Sequence, residues 1–497
     1  MSRIYSKLCS LLLVEHFGPI VQQVGTDLIN NGQRSLHSII STVDLPATKV
    51  KEALYVLVKH GFVTYIKQKT NLYVIDCKRI IMILRYPRYM FLVKTYCGNE
   101  SEVMLEEVLK HGYITASDLI VKTYNRIQEL PSSQEPSVEN VKDTFELLVK
   151  NQFLMRSLSF DMNLDDTKKP DYNLPDLNLR VIFNLLENGE GDPGDSKIYW
   201  KVNFDRFTQD LRDQIVISAI TQKFDKNAGE LMRQLINLMY LRTASWSDTS
   251  NPIPYTEIKD AVKKLNYPEL EQYLEQYLHL IEVDSNRFIM RVGDSSGGQY
   301  SVNMKNAFNQ LAWATLDNIV TEKFGSKAAR IFRLIRNKTT IELEQLQQVA
   351  MMPTRQAKLL TYTLAQEGYI QVQEMKRSGV SAGPMKTFFM FYIDLNQVVQ
   401  MQIGHCYHAL HNIIQRRDHE STSNKRMIDK QLRVDILSSN MKEHGATEEQ
   451  LADIAEMVTP SEKQQLEKVQ KSIQKLSAAE LLIDETLFLL DIYQRYH

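Results

Sequence analysis

Residues 293–298 read GDSSGG, serines between glycines, the kind of turn that can expose a nucleophile. A serine nucleophile needs a base within hydrogen-bond reach and a third group orienting that base. The chain offers no His and Asp segments to complete such a set, and the flanking residues alternate as two strands, so the stretch reads as a hairpin turn. In HCYHALH (405–411), His405, His408 and His411 lie three apart on one helical face. That spacing can bind a metal, but no carboxylate completes a known pattern and a solvated face is the simpler reading. KFGSKAARIFRLIRNK (323–338) sets Lys327, Arg330, Arg333 and Arg336 along one helix face. It lacks the spacing of a phosphate loop; the face suits either solvent or an acidic or nucleic-acid partner. KRIIMILRYPRYMFLVK (78–94) interleaves arginines with Tyr86, Tyr89 and Phe91, a mixture able to meet phosphates and unstacked bases. The alternative is a core helix whose Arg85 and Arg88 lay their stems along it. No paired carboxylates and no cofactor loop occur: cofactors none, metal none, catalytic residues none. The chemistry on offer is binding.

The elements that must carry these residues repeat. VKEALYVLVKHGFVTY (50–65) is an amphipathic helix with Val50, Leu54, Leu57 and Val58 on its apolar stripe, stopped at Gly61 and turning into a strand. Asp44 is the expected N-cap and Pro46 suits the first turn. FVTYI and NLYVI, separated by KQKT, form a hairpin. Helical patterns at 3–15, 18–30 and LHSIISTVD precede it, so the order is three helices and a hairpin, that of a winged helix. VKDTFELLVKNQF (141–153) rewrites the same phrase with Gln152 in the place of Gly61, keeping Val141, Leu148 and Phe153. AKLLTYTLAQEGYI (357–370) writes it again, followed by QVQEM and KTFFMFYI. A fourth copy is expected from the helix YPELEQYLEQYLHLIEV (267–283) and the strands NRFIMRV and QYSVNM, and the second hairpin is the least well formed. These are tandem small domains, since their spacing exceeds a solenoid period.

Residues 157–197 are acidic and bear glycine and proline, which reads as a linker or docking arm. Residues 395–440 and 461–492 lack strand patterns. Leu466, Val469, Ile473, Leu476, Ile483, Leu487 and Leu490 recur at threes and fours, with one gap at Glu480. Gly445 and Pro460 break this region into an antiparallel helical hairpin. The expected fold is α+β, mainly α: four tandem extended winged-helix domains around a C-terminal antiparallel coiled-coil hairpin. Its divisions are 1–77, 78–157, an acidic linker 158–197, 198–303, 304–394 and a stalk 395–497.

The 497 residues carry 43% apolar and 24% charged residues and a net charge of −1. That is the composition of a folded protein without a global basic field, so any nucleic-acid binding must be local. The scattered Cys9, Cys77, Cys97 and Cys406 argue for a reducing compartment and against a disulfide framework. MSRIYSKLCSLLLVEHFG has too short an apolar run for a signal peptide, and no run spans a membrane.

KLCSLLLVEHFG, ILRYPRYM (83–90), IYWKVNFDRFTQDLRDQIV (198–216), RVGDSSGGQYSVN (291–303), FGSKAARIFRLI (324–335) and IDETLFLLDIY (483–493) together resemble the winged-helix subunit specific to RNA polymerase III, the largest of a three-subunit initiation subcomplex. The resemblance runs in order from residue 3 to the C-terminus; the 157–197 stretch is short and acidic where some relatives carry a long basic insertion. It implies a non-catalytic nuclear subunit acting in transcription initiation of small RNAs such as 5S rRNA and tRNAs. The implied partners are a small acidic subunit, a second winged-helix subunit, the clamp of the largest subunit, the initiation factor TFIIIB and single-stranded or melted DNA; no membrane is among them. A free-standing winged-helix DNA-binding regulator is the alternative, which predicts a net basic charge. A scaffold of the proteasome-lid kind would instead carry one winged helix after a helical array. Expected nucleic-acid contacts, weak and sequence-independent, are Lys67 and Lys69 in the first wing, Arg85 and Arg88 beside the aromatics, and Lys376, Arg377 and Lys386 in the fourth wing.

Overall fold

The computed structural model describes residues 3–67, 71–129, 137–157, 171–175, 194–195, 198–265, 267–376, 387–443 and 458–497. The chain divides into two compact units, residues 1–208 with 407–484, and residues 209–406 with 485–497. Among the described residues no helix is long and apolar enough to cross a membrane.

Each unit holds two three-stranded antiparallel sheets of one topology: a short first strand pairs with the last strand, which occupies the middle. In the first unit these are β1 (Arg34–Ser35), β2 (Val63–Lys67) and β3 (Asn71–Ile75), then β4 (Ile114–Thr115), β5 (Leu154–Ser157) and β6 (Tyr199–Val202). In the second they are β7 (Ile253–Pro254), β8 (Ile289–Gly293) and β9 (Gln299–Val302), then β10 (Thr340–Glu342), β11 (Gln371–Lys376) and β12 (Thr387–Tyr392).

The repeated phrase folds the same way three times. Val50, Leu57 and Phe62 are buried, as are Val141, Leu148 and Phe153, and Ala357, Leu364 and Tyr369. Each helix ends in a paired backbone turn. Gly61 donates to Val58 and Phe62 to Leu57; Gln152 donates to Val149 and Phe153 to Leu148; Gly368 donates to Ala365 and Tyr369 to Leu364. This turn needs a left-handed residue, which glycine supplies freely. Gln152 adopts φ 65° in the same place, held there by both turn bonds and by Asn203, whose amide donates to its carbonyl at 2.9 Å. Asp44 does not cap the 47–59 helix. That helix starts after Pro46 with no side chain on its first amides, because the fixed proline φ already sets the entry.

Two domain boundaries differ from expectation. Residues 199–202, expected to open the third domain, close the second sheet instead: Leu154 pairs with Val202 and Arg156 with Trp200. Trp200 packs edge-on against Phe145 at 5.2 Å, so burial of one large aromatic sets the register. The 158–197 stretch therefore lies between two strands of one sheet. Its described residues are tied to that domain: Asp195 accepts from Ser117 N at 2.8 Å, at the start of the Ala116–Glu129 helix, and Asp171 bridges Arg156. The expected helix at 267–283 is two, Pro268–Gln272 and Leu274–Val283.

The C-terminal region is not one body. Residues 407–484 belong to the first unit, and 395–406 and 485–497 to the second. Within the first unit the helix Lys425–Glu443 runs antiparallel to the start of the Pro460–Tyr496 helix; Gly445 lies outside the described residues. Lys430 meets Glu462 at 2.8 Å, and Val434, Val458 and Leu466 form a small core. Glu480, the gap in the seam, is filled by Arg417, which also holds Glu15. Burial raises the Glu480 pKa. In the second unit Phe488, Ile492 and Tyr496 complete a core with Ile220, Leu231, Ile236 and Phe308. Fully buried Arg212 donates to Asp213, Tyr240 and Tyr496, and Arg495 lies over the Trp246 ring at 3.3 Å.

Candidate nucleic-acid and docking interface

The aromatic–basic segment folds as a 3-10 turn, Met82–Arg85, followed by the helix Tyr86–Cys97. Arg85 and Arg88 do not point to solvent. Arg85 Nε donates to Asp484 Oδ1 at 3.1 Å. Arg88 donates to the Leu481 carbonyl at 2.5 Å and sits 3.8 Å from Asp484 Oδ2. The Asp484 side chain is 0% exposed and the Arg85 side chain 7%. Both arginines engage a buried carboxylate, the core-edge arrangement that is the alternative to nucleic-acid contact for this segment. Helical periodicity cannot reveal a partner some 400 positions away. Tyr89 is buried as well, against Phe207 at 4.7 Å, while Phe91 is 71% exposed.

Lys67 is the last residue of β2, paired through its backbone with Asn71; Lys376 is the last of β11, paired with Thr387. Both therefore stand where the strands lead into the wing tips. Lys69, Arg377 and Lys386 lie outside the described residues.

The basic face of the Ser326–Lys338 helix stays exposed at Lys327, Arg330 and Arg333, but its cations are engaged by neighbouring groups. Arg333 grips Asp317 with Nε at 2.8 and 2.9 Å from its two oxygens. Arg336 donates to Gln310 at 2.7 Å and stacks over Trp313 at 4.7 Å. Arg330 reaches the Ala350 carbonyl and Lys327 reaches Gln356. GDSSGG is a wing turn, with a 3-10 turn at Ser295–Gly297 and Gly298 accepting from Tyr255 N at 2.9 Å. His405 lies near Gln402; among the described residues no group of three or more His, Cys, Asp or Glu is placed to hold a metal.

The helices behind the wings expose apolar residues among charged ones, Arg355 and Lys358 on Thr354–Gln366 and Lys49, Lys51 and Glu52 on Ala47–Lys59. On Thr354–Gln366, Leu359 is 67% exposed and Tyr362 44%, next to Met351 at 88%. Tyr55 on Ala47–Lys59 is 56% exposed. The sequence carried a signal for this: Leu359 and Tyr362 lie off the stripe of Ala357, Thr361 and Leu364. On Val138–Lys150, Lys142 and Lys150 both face Glu146 at 3.8 and 3.3 Å, so that helix presents little net charge.

Helices ahead of a three-stranded sheet whose last strand lies in the middle define the winged-helix class. Family models place it further. Residues 7–68 match the RNA polymerase III subunit RPC82 helix-turn-helix domain, 123–311 the RNA polymerase III subunit RPC82 model, 316–393 the POLR3C C-terminal winged-helix domain and 426–489 the helical hairpin domain of DNA-directed RNA polymerase III subunit RPC3. The chain is 34% identical to DNA-directed RNA polymerase III subunit RPC3 of Homo sapiens, over 99% of this chain and 98% of that one. It is 34% identical to the Danio rerio protein over 98% and 97%, and 23% identical to that of Dictyostelium discoideum over 48% and 38%. The chain belongs to the RPC3 family of DNA-directed RNA polymerase III subunits. This subunit is non-catalytic.

Proposed function

We propose that this chain works in the nucleus as a subunit of RNA polymerase III during promoter-directed initiation. Four winged helices and the C-terminal hairpin serve chiefly as docking blocks for the polymerase clamp, a small acidic subunit, a second winged-helix subunit and TFIIIB. Wing cations add weak, sequence-independent contact with melted DNA. The observation that supports the docking reading is the exposed apolar set Met351, Leu359 and Tyr362 on and beside a recognition helix, apolar surface of a kind that marks protein–protein contact. Affinity purification of the tagged chain from nuclear extract is expected to bring down polymerase III subunits in stoichiometric amounts. Recovery of a homogeneous free chain would overturn the assignment.

The DNA contact has its own test. Anisotropy titrations of single-stranded, bubble and duplex DNA across a salt series are expected to favour the first two without preference for sequence. In Lys67→Ala/Lys69→Ala and Lys376→Ala/Arg377→Ala/Lys386→Ala the salt slope should fall by roughly 0.7–0.9 for each phosphate no longer neutralised. Unchanged affinity and slope in both variants would leave protein docking as the whole role.

A further inference from the structure

A small pocket lies within the first unit, with a cavity volume of about 190 Å3, where the end of the Ala47–Lys59 helix meets β6 and the second domain. Three cations from three different elements line it: Lys59, Arg79 and Lys201. Asp205 is the carboxylate on the wall, and His60, Tyr86, Tyr113 and Phe204 supply ring surface. Two glycines let the walls close. A Cβ at Gly112 would come within 2.3 Å of the Lys59 carbonyl, and one at Gly61 within 2.8 Å of Arg79 Nη1. Arg79 Nη1 donates to the Gly61 carbonyl at 3.0 Å and Nε lies 3.6 Å from Asp76, which orients the guanidinium and leaves further N–H donors. Among the described residues neither Lys59 nor Lys201 has an ion-pair partner; Lys201 Nζ lies 5.7 Å over the Tyr113 ring.

We infer that this pocket is a binding site for a phosphate-class oxyanion, with Lys59, Arg79 and Lys201 as its ligands. Lys59 and Lys201, gathered beside Arg79 in a partly enclosed space, are unfavourable there without a counter-charge. Burial, and then Arg79, lower the Lys201 pKa. Burial, Lys59 and His111 lower that of His60 to about 4, so His60 is neutral near pH 7 and does not add to the charge. Three cations against Asp205 on the wall and Asp76 beside Arg79 leave a net positive charge, and an arginine with two lysines is a donor set suited to phosphate. The volume is below the roughly 300 Å3 where drug-sized sites begin, so the fit is to a phosphate group with at most a sugar against Tyr86, Tyr113 and Phe204. The phosphate could be that of a free nucleotide or of a single-stranded nucleic-acid backbone. This site shares no residue with the wing lysines, so the two proposals fail separately.

Calorimetry on the full chain with inorganic phosphate is expected to give saturable one-to-one binding. Each of Lys59→Gln and Lys201→Gln should weaken it about tenfold, as removal of one charge-assisted hydrogen bond does, with melting temperature unchanged or, for Lys201→Gln, raised. Arg79→Lys should weaken it while preserving charge, since the fork is gone. Displacement of phosphate by oligodeoxythymidylate assigns the site to a nucleic-acid backbone; displacement by a nucleoside 5′-monophosphate alone assigns it to free nucleotide. No saturable phosphate binding, equal affinity in both lysine variants, or tighter binding of hexaglutamate than of phosphate would each overturn the inference, the last in favour of an acidic protein segment.

Discussion

Asp484→Ala is expected to cost roughly 3–5 kcal/mol in the first unit, the usual loss when one partner of a buried pair is removed. The carboxylate is fully buried and holds both Arg85 and Arg88. Its removal takes this buried counter-charge from the almost equally buried Arg85 guanidinium. The penalty thus includes the weakened compensation of a desolvated cation as well as the missing bond. The chain has two units, so a single melting midpoint mixes them; hydrogen exchange read locally is the better measurement. Amides of the Tyr86–Cys97 helix should lose protection by about a hundredfold or more, the equivalent of roughly 3 kcal/mol or above. The double variant Arg85→Met/Asp484→Leu should recover much of the loss, because an apolar pair of similar volume avoids the desolvation cost. Undiminished protection in Asp484→Ala would show that the ion pair does not hold this segment.

Phe488→Asp should be the most damaging single change in the second unit. Phe488 is 1% exposed and packs in a core with Ile220, Leu231, Ile236, Phe308, Ile492 and Tyr496. Removing the ring alone forfeits about 3–5 kcal/mol, and an unpaired carboxylate there adds several more. That sum matches the whole stability of an ordinary domain, roughly 5–15 kcal/mol. The expected result is loss of soluble protein, or rapid proteolysis within residues 209–406. Phe488→Leu, apolar and nearer in volume, should cost under about 1.5 kcal/mol and remain soluble. Wild-type yield and protease resistance in Phe488→Asp would mean that the C-terminal turn of this helix is dispensable to the core.

Much of the fold is legible in short stretches because the forces that set it act over a few residues. Leu57, Val58, Gly61 and Phe62 specify helix, stop and strand together, since an apolar stripe, a left-handed residue and two backbone bonds all fall within one turn. The same logic exposes the copies at 141–153 and 357–370, and Gln152 fits the pattern despite an unfavourable backbone because the position is over-determined by its bonds. That GDSSGG turns the chain and does not arm a serine is legible too, since a hairpin explains its glycines.

The rest depended on which distant segments meet. YWKV at 199–202 alternates like any strand; only the pairing of Trp200 with Arg156 and its burial against Phe145 assign it to the second sheet. Arg85 and Arg88 read equally well as phosphate contacts or as core-edge arginines until Asp484 is brought beside them. The arginines of 326–338 look like a free basic face in a helical projection, yet Asp317, Gln310 and Trp313 of the preceding helix take Arg333 and Arg336 up. Residue type and spacing determine helix, turn and strand here, together with the repeat that multiplies them. The fate of each charge is decided by tertiary contact, because a cation's energy depends on the carboxylates and the water within a few ångströms of it, and chain spacing does not encode those neighbours.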